Sequence, residues 1–265
     1  MLKVLDVFSG FAGFTVGLES TGGFETIAFC EIEAYPRKVL AQNWPLVPIA
    51  GDIRKLSYNK KTLQLFYKTK VIYVGPIDVI CGGFPCQDIS AAGNQAGIEK
   101  NTRSGLWSEL PRLLGEIQPE LAIFENVTAL LSGDCGGWIQ RVLWDISQKF
   151  YDAECHCIPA SEFGAHHHRD RAWIVAYPQS QRVQGFGTSG QQEPHSYEEP
   201  LLSVRDCEGL GQSLWEAEPN VVRVVDGIPH RSHRVKGLGN AVVPIIPKLI
   251  GQTYLKRKNV PHETN

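Results

Sequence analysis

The sequence predicts an open α/β sheet with helices on both faces, binding its ligands along the carboxyl edge of the strands. Three observations lead there. An apolar strand, Leu2 to Phe8, runs straight into the glycine loop Ser9-Gly10-Phe11-Ala12-Gly13 and a helix start. A second strand, Phe24 to Cys30, ends in an acid, Glu31, about twenty residues further on, the distance at which a ribose-binding acid stands in dinucleotide-type folds. A third, closed by Asp78-Val79-Ile80, opens into Cys81-Gly82-Gly83-Phe84-Pro85-Cys86-Gln87-Asp88-Ile89-Ser90. The glycine pair permits a tight turn and close backbone approach, and Pro85 stiffens the residue before Cys86.

The strand–glycine–helix unit makes a cradle whose N–H groups suit a nucleotide-like ligand, although a structural turn accounts for the glycines about as well. Ala34 to Asn43 reads as a helix closed by Trp44-Pro45, and Val47 to Ala50 as a short strand delivering Asp52 and Ile53 to the same edge. Residues 54–70 are lysine-rich and polar, and read as a surface helix and loop without chemistry. Val71 to Val74 and Ile77 to Ile80 lead into the cysteine loop. Cys86 is a candidate nucleophile, because thiolate is the reactive form and a loop near a helix start favours it; an inert thiol on a turn is the alternative. Gly93 to Arg103 lacks periodicity and reads as a lid or an irregular connection. Leu106, Leu110, Leu113, Leu114 and Ile117 recur at helical spacing, with Pro111 in the first turn or kinking the helix. Leu121 to Phe124 is a buried strand ending in Glu125-Asn126-Val127, where partial burial would raise the Glu125 pKa and let it donate a proton. Gly137 to Phe150 is an amphipathic helix and Ala153 to Ile158 a strand.

His166-His167-His168-Arg169-Asp170-Arg171 precedes the strand Ala172 to Ala176, and alternation would put Arg169 and Arg171 on one side of an extended segment. Three histidines near Cys155, His156 and Cys157 raise a metal reading, but their spacing matches no structural zinc pattern, and arginines pinning an anionic or carbonyl-bearing ligand fit better. From Tyr177 to Glu218, Gln, Ser, Gly, Pro and Glu dominate, as in a small recognition module or a coreless insert. Order resumes at Pro219 to Pro229, followed by a basic group of Arg231, His233, Arg234 and Lys236, then Gly239-Asn240-Ala241-Val242 and an apolar helix from Ile245 to about Leu255. The 265 residues, 43% hydrophobic, suffice for one large core and a small appendage. Seven scattered cysteines suit reduced thiols in a cytosolic compartment. No secretory signal or membrane-length apolar run is expected. The net charge of −2 gives no global nucleic-acid footprint, so any such binding must use a local basic face.

Taken together, in this order, these stretches resemble the DNA (cytosine-5) methyltransferases over nearly the whole chain. The Asp6-to-Gly17 loop is similar to the family's S-adenosylmethionine loop, with Phe8, Gly10 and Gly13 at matching positions and Ala12 where a glycine is usual. Glu31 matches the ribose-binding acid, Ile32 the adenine-stacking position and Asp52 the acid that reads the adenine amino group. Pro85-Cys86-Gln87 matches the catalytic loop, Glu125-Asn126-Val127 its partner motif, and Leu106 a cofactor-pocket position. His167, Arg169 and Arg171 occupy the Gln-x-Arg-x-Arg positions, with histidine replacing glutamine. Gly239-Asn240-Ala241-Val242 matches the motif that returns to close the cofactor pocket.

The resemblance implies a Rossmann-like S-adenosylmethionine-dependent methyltransferase sheet carrying a small target-recognition domain. It divides the chain into a catalytic and cofactor-binding domain at 1–176, a recognition region at 177–218, a segment returning to the catalytic domain at 219–258, and a terminal tail at 259–265. Phe11, Ile53, Pro85, Asn240, Ala241 and Val242 join the cofactor set. Cys86, Glu125, Arg171 and Arg169 form the catalytic set, and Gln87, Ser90, His167, Arg231, Arg234 and Lys236 are expected on DNA. The implied activity is methyl transfer to C5 of a flipped cytosine in a short duplex DNA site, through a Cys86–C6 adduct and without a metal. The implied setting is a cytoplasmic monomer acting on duplex DNA, with or without a cognate restriction endonuclease as a partner. Methylation of cytosine in RNA, a catalytically silent DNA-binding homologue, and a nicotinamide-dependent oxidoreductase are the competing readings; the last leaves Pro85-Cys86 and Glu125-Asn126 without a purpose.

Overall fold

The computed structural model describes residues 1–85, 104–163, 169–179 and 241–258. Seven strands form the main sheet: β1 (Leu2–Val7), β2 (Phe24–Cys30), β3 (Ile49–Ala50), β7 (Val79–Gly83), β8 (Leu121–Val127), β9 (Tyr151–Pro159) and β10 (Asp170–Pro178). Their order is β3-β2-β1-β7-β8-β10-β9. β1, β2, β3, β7 and β8 pair in parallel, whereas β10 runs antiparallel to both β8 and β9. The connections step outward from β1 to β2 and β3, then cross to β7 on its other side. That crossing makes the β1/β7 boundary a topological switch point, where open α/β sheets bind ligands.

Strand residues alternate between two cores. Val4, Val79, Cys81, Leu121, Ile123, Trp173 and Val175 face α1 (Gly13–Glu19) and the final helix α6 (Ile245–Lys258), whose Phe14, Leu18, Ile246, Leu249 and Ile250 complete that side. Leu5, Val7, Ile80, Ala122, Phe124 and Ile174 face α3 (Glu109–Ile117) and α5 (Gly137–Ser147). A strand buried on both faces reads as a continuous apolar run, as Leu121 to Phe124 does. The helix α2 (Ala34–Asn43) covers a third, small cluster of Ala12, Phe29 and Leu40. Pro111 falls in the first turn of α3, where a missing N–H costs nothing. A short helix, α4 (Ala129–Ser132), follows β8.

One expectation is overturned. Residues 54–70 are not a surface helix and loop: most of them belong to an antiparallel sheet of β4 (Leu56–Asn59), β5 (Gln64–Tyr67) and β6 (Lys70–Val74). Leu56, Tyr58 and Leu65 point inward and join the core on the α3 side, while Ser57 and Asn59 point outward. The first turn is closed by the Asn59 side chain, which accepts from the N–H groups of Lys61 and Thr62.

The carboxy-terminal helix lies directly on the amino-terminal one. α1 and α6 meet so closely that a β-carbon at Gly17 would overlap the Pro244 carbonyl, and one at Gly251 would press on Leu18 and Phe24. Helix propensity alone makes Gly17→Ala stabilising by about 1 kcal/mol. Overpacking costs about 1–3 kcal/mol, and here the obstacle is backbone, so a net loss of stability is expected in denaturant titration. A variant as stable as the parent would show that α6 does not seat on α1.

Candidate active site

The parallel pairing of β1 with β2, with Val7 opposite Cys30, brings the glycine loop beside Glu31. The loop passes through left-handed backbone at Phe8 (φ 53°), Gly10 (φ 52°) and Ala12 (φ 63°). Only glycine adopts that region freely; a non-glycine residue there costs about 1–3 kcal/mol. Hydrogen bonds hold it. The Gly10 N–H donates to Glu31 Oε2 at 2.8 Å, the Glu33 N–H to Glu31 Oε1 at 2.7 Å, and Ser9 Oγ to the Asp6 carbonyl at 2.7 Å. Glu31 therefore organises the loop, and each of its oxygens keeps a further lone pair for another hydrogen bond. A β-carbon at Gly10 would meet nothing within 4 Å, so the loop opens onto space a ligand can fill.

Asp52 caps a short turn and accepts from the Arg54 N–H, Nε and Nη2 at 3.1, 3.0 and 2.9 Å. The Arg54 side-chain bond holds its carboxyl below the usual carboxylate range. Ile53 is buried, Ile32 is 63% exposed at the edge, and Phe11 meets Tyr35 edge to face at 6.0 Å. The carboxy-terminal segment closes down on this loop: a β-carbon at Gly13 would lie 2.5 Å from the Val242 carbonyl oxygen.

Asp6 is the residue the sequence reading passed over. It is fully buried in β1, accepts from Thr15 Oγ1 of α1 at 2.7 Å, and leaves Oδ1 without a hydrogen-bond partner. Burial pushes its carboxyl up to about 7, against the lowering effect of the Thr15 hydrogen bonds. A carboxylate inside an otherwise apolar strand was the available signal.

On the other side of the switch point, Gly83 pairs with Glu125, and Arg171 with Val127. Glu125 is buried, and Arg171 Nε contacts its Oε1 at 2.9 Å. Burial raises the Glu125 pKa, while Arg171 and, less strongly, Arg169 lower it; the net direction is up. A β-carbon at Gly83 would stand 3.0 Å from Glu125 Oε2, so that glycine keeps space beside the carboxyl. Asn126 ties the cysteine loop to β8: its Nδ2 donates to the Phe84 carbonyl at 3.2 Å and its Oδ1 accepts from the Val127 N–H at 2.8 Å. Phe84 packs on Trp107 at 4.9 Å, in the turn Ser104–Ser108 that also seats half-buried Leu106 against the core.

Arg169 and Arg171 do not share one face of a strand. Arg169 precedes β10 with φ 36°, and its Nη2 donates to the Ala241 carbonyl at 2.7 Å, while Arg171 turns to Glu125. Pro85 is the last described residue of the cysteine loop. Cys86, Gln87, Ser90, the Gly93 to Arg103 stretch, His167, the 180–240 segment with Arg231, Arg234, Lys236 and Asn240, and the 259–265 tail lie outside the described residues. Cys81, the other cysteine of that loop, is fully buried beside Asp6, and burial raises its thiol well above the ordinary range, which disqualifies it as a nucleophile. Among the described residues no three His, Cys, Asp or Glu side chains gather as metal ligands, and no helix is long and apolar enough to cross a membrane.

Arg171→Ala removes the strongest influence opposing burial at Glu125. Its carboxyl should then titrate at still higher pH, read by carboxyl infrared or carbon NMR. A Glu125 that titrates at or below its parental value would show that the ion pair does not set its protonation.

Comparison with known proteins fits this geometry. A family model described as C-5 cytosine-specific DNA methylase matches residues 2–236. The Type II methyltransferase M.HhaI of Haemophilus parahaemolyticus is 28% identical over 234 residues, 84% of this chain and 67% of that protein. The Type II methyltransferase M.HpaII of Haemophilus parainfluenzae is 30% identical over 202 residues, 76% of this chain and 50% of that protein. A prophage-encoded E. coli protein, solved as a DNA modification methyltransferase, superposes with a TM-score of 0.54 at 28% identity, over 68% of this chain and 47% of that one. The chain thus spans between 47% and 67% of the length of these relatives. With the family model matched from residue 2 to residue 236, the chain belongs to the C-5 cytosine-specific DNA methylases.

Proposed function

We propose that the protein is a DNA (cytosine-5) methyltransferase acting on a cytosine flipped out of duplex DNA. The observation that carries this reading is the ion pair between buried Glu125 and half-buried Arg171, set at the strand edge where the loop toward Cys86 departs. A flipped base is required because ring carbons inside a stacked duplex are out of reach. Arg171 anchors Oε1 of Glu125 and is placed to donate to the cytosine O2. Oε2 is left to hold a proton against N3, and burial keeps that proton on to higher pH than for a free carboxyl. Protonation at N3 draws charge from the ring while the Cys86 thiolate adds to C6, making C5 nucleophilic. Once C5 carries the methyl group, its proton leaves to solvent, Cys86 departs from C6 as thiolate, and the N3 proton returns to the Glu125 carboxylate, which restores the aromatic ring.

S-adenosylmethionine supplies the methyl group as a sulfonium when bound. The cradle fits it: open space above Gly10, Glu31 for the ribose hydroxyls, Asp52 and buried Ile53 at the adenine end, and Ala241-Val242 closing from above. The reading extends to a catalytic region at 1–176, a recognition region at 177–218 and a returning segment at 219–258. It also includes a monomer working on DNA in the cytoplasm, with or without a cognate restriction endonuclease. Because activity needs protonated Glu125, turnover should fall as pH rises through the Glu125 pKa.

Cys86→Ser should abolish methyl transfer while cofactor binding persists, since a hydroxyl is a far weaker nucleophile at neutral pH. Duplex carrying 5-fluorocytosine at the target should form a denaturation-resistant adduct mapping to Cys86, because fluorine cannot leave as a proton does. Substantial activity in the variant, or an adduct on another cysteine, would remove Cys86 from the mechanism.

Glu31→Ala and Asp52→Ala should each weaken S-adenosylmethionine binding by about 1–3 kcal/mol in calorimetry. The Glu31 effect should be the larger, because the Gly10 and Glu33 N–H groups lose their acceptor too. Parental affinity in both variants would displace the cofactor from this edge.

A further inference from the structure

The sheet of β4, β5 and β6 has no part in the chemistry above, yet it holds the most lopsided charge of the described chain. Between Ile53 and Ile77 stand Arg54, Lys55, Lys60, Lys61, Lys68 and Lys70 and not one Asp or Glu, on a chain whose net charge is −2. All six cations are exposed. Two are committed locally: Arg54 is ion-paired with Asp52, and Lys60 reaches the Gln118 amide. Lys55, Lys68 and Lys70 form no ion pair among the described residues, although Lys55 lies in the field of Asp52.

These three come together at one end of the sheet. The Lys68 N–H donates to the Lys55 carbonyl at 2.8 Å, and Lys70 pairs with Tyr67 across the second turn. That end stands at the ligand edge of the main sheet. Lys55 follows Asp52 by one short turn, and the Tyr67 hydroxyl lies 3.0 Å from where a β-carbon of Gly51 would be. The platform is firm. Leu56, Tyr58 and Leu65 are buried, Arg112 donates to the Ile53 carbonyl at 3.1 Å, and the Tyr58 N–H donates to Glu116 at 2.9 Å.

We propose that this sheet is a second contact surface for duplex DNA, with Lys55, Lys68 and Lys70 gripping backbone phosphates that flank the methylated site. The proposal rests on duplex DNA being the substrate. Charge complementarity carries it: a duplex presents one negative charge per about 1.7 Å of axis, and lysine ammonium groups act as point charges that bind phosphate without reading sequence. Backbone is favoured over unpaired bases because the ring nearest the cluster is already covered. Lys68 Nζ sits 5.7 Å from the Tyr67 ring centroid, and Tyr67 is half-buried, so no free aromatic platform is offered for base stacking. A rigid cationic surface outside the recognition region would also supply affinity that the glutamate-bearing 177–218 stretch, with only Arg182 and Arg205 as cations, does not.

The test uses the full chain with Lys55→Gln, Lys68→Gln and Lys70→Gln combined. Binding is read by fluorescence anisotropy across a salt series, on a duplex extended well beyond the methylated site and on the same duplex trimmed to that site. On the long duplex the variant should bind roughly tenfold more weakly, and the slope of log affinity against log salt should flatten by about 0.9 per lost contact. S-adenosylmethionine affinity and methyl transfer at saturating DNA should stay at parental values. On the trimmed duplex the difference should vanish. Single-lysine variants, each removing one contact from the slope, serve where the triple variant does not fold. Unchanged affinity and slope on the long duplex would overturn the proposal, as would an equal loss on both duplexes. Failure of the underlying reading is seen separately, as a parental protein that transfers no methyl group to any cytosine-containing duplex.

Discussion

The site depends on one ion pair whose carboxylate is buried and whose guanidinium stays partly in water. Burying a carboxylate costs several kcal/mol, and a neighbouring cation offsets that only in good geometry. The geometry here comes from a reversal in the sheet. In a purely parallel sheet, only residues at the carboxyl ends of strands reach the ligand edge. β8 brings Glu125 there in that way, but Arg171 stands at the amino end of its strand. Because β10 runs antiparallel to β8, its first residues land beside the last residues of β8, and a cation meets the acid. A parallel β10 would carry Arg171 to the opposite edge and leave Glu125 buried alone.

A second buried carboxyl stands on the other side of the switch point, held by a different device. Among the described residues no cation pairs with Asp6; hydroxyls from Thr15 and, through its carbonyl, Ser9 surround it instead. Thr26 extends the chain by donating to Thr15 at 3.0 Å. Hydroxyl donors fix the first turn of α1 against β1 and β2, so a loop with Phe8 and Ala12 in left-handed backbone is held from below, and Glu31 holds it from the side. Strain of this kind persists only where the surroundings over-determine the conformation. Burial first, and Glu31 to a smaller degree, push the Asp6 carboxyl up to about 7, so it carries a full negative charge beside Glu31 less readily than a free carboxyl would.

Much of the fold was legible because strong local signals agreed with the final packing. Phe24 to Cys30 and Ala34 to Asn43 have the bounds that apolar runs and the Trp44-Pro45 break suggest. Residues 54–70 misled because lysines mask a short alternation: only Leu56, Tyr58 and Leu65 mark the inner face, over strands of four residues. The same lysines looked like an inert solvated surface, since exposure and absence of neighbouring acids emerge only once the strands are paired. At the site, Glu125 and its rise in pKa could be read from a buried strand ending in an acid. The divergence of Arg169 from Arg171 could not, because it turns on one left-handed residue just outside the strand. Nor does a sequence distinguish Gly17, which is small so that another helix can approach, from a glycine needed for a turn.

The two halves of the site are joined through two adjacent residues of the returning segment. The Val242 carbonyl rests against Gly13 of the glycine loop, and the Ala241 carbonyl accepts from Arg169, which lies in the field of Glu125. Both contacts use main-chain carbonyls, so they constrain backbone position and not side-chain identity. What fixes that backbone is the seating of α6 on α1, where Gly17 permits an approach of the Pro244 carbonyl that a side chain would block, and Gly251 leaves room for Leu18 and Phe24. A segment more than sixty residues from β10 in sequence therefore touches both the glycine loop and Arg169. Glu31 and Glu125 have their own partners without it, in Gly10, Glu33 and Arg171; what the returning segment adds is a main-chain link between the two sides of the switch point.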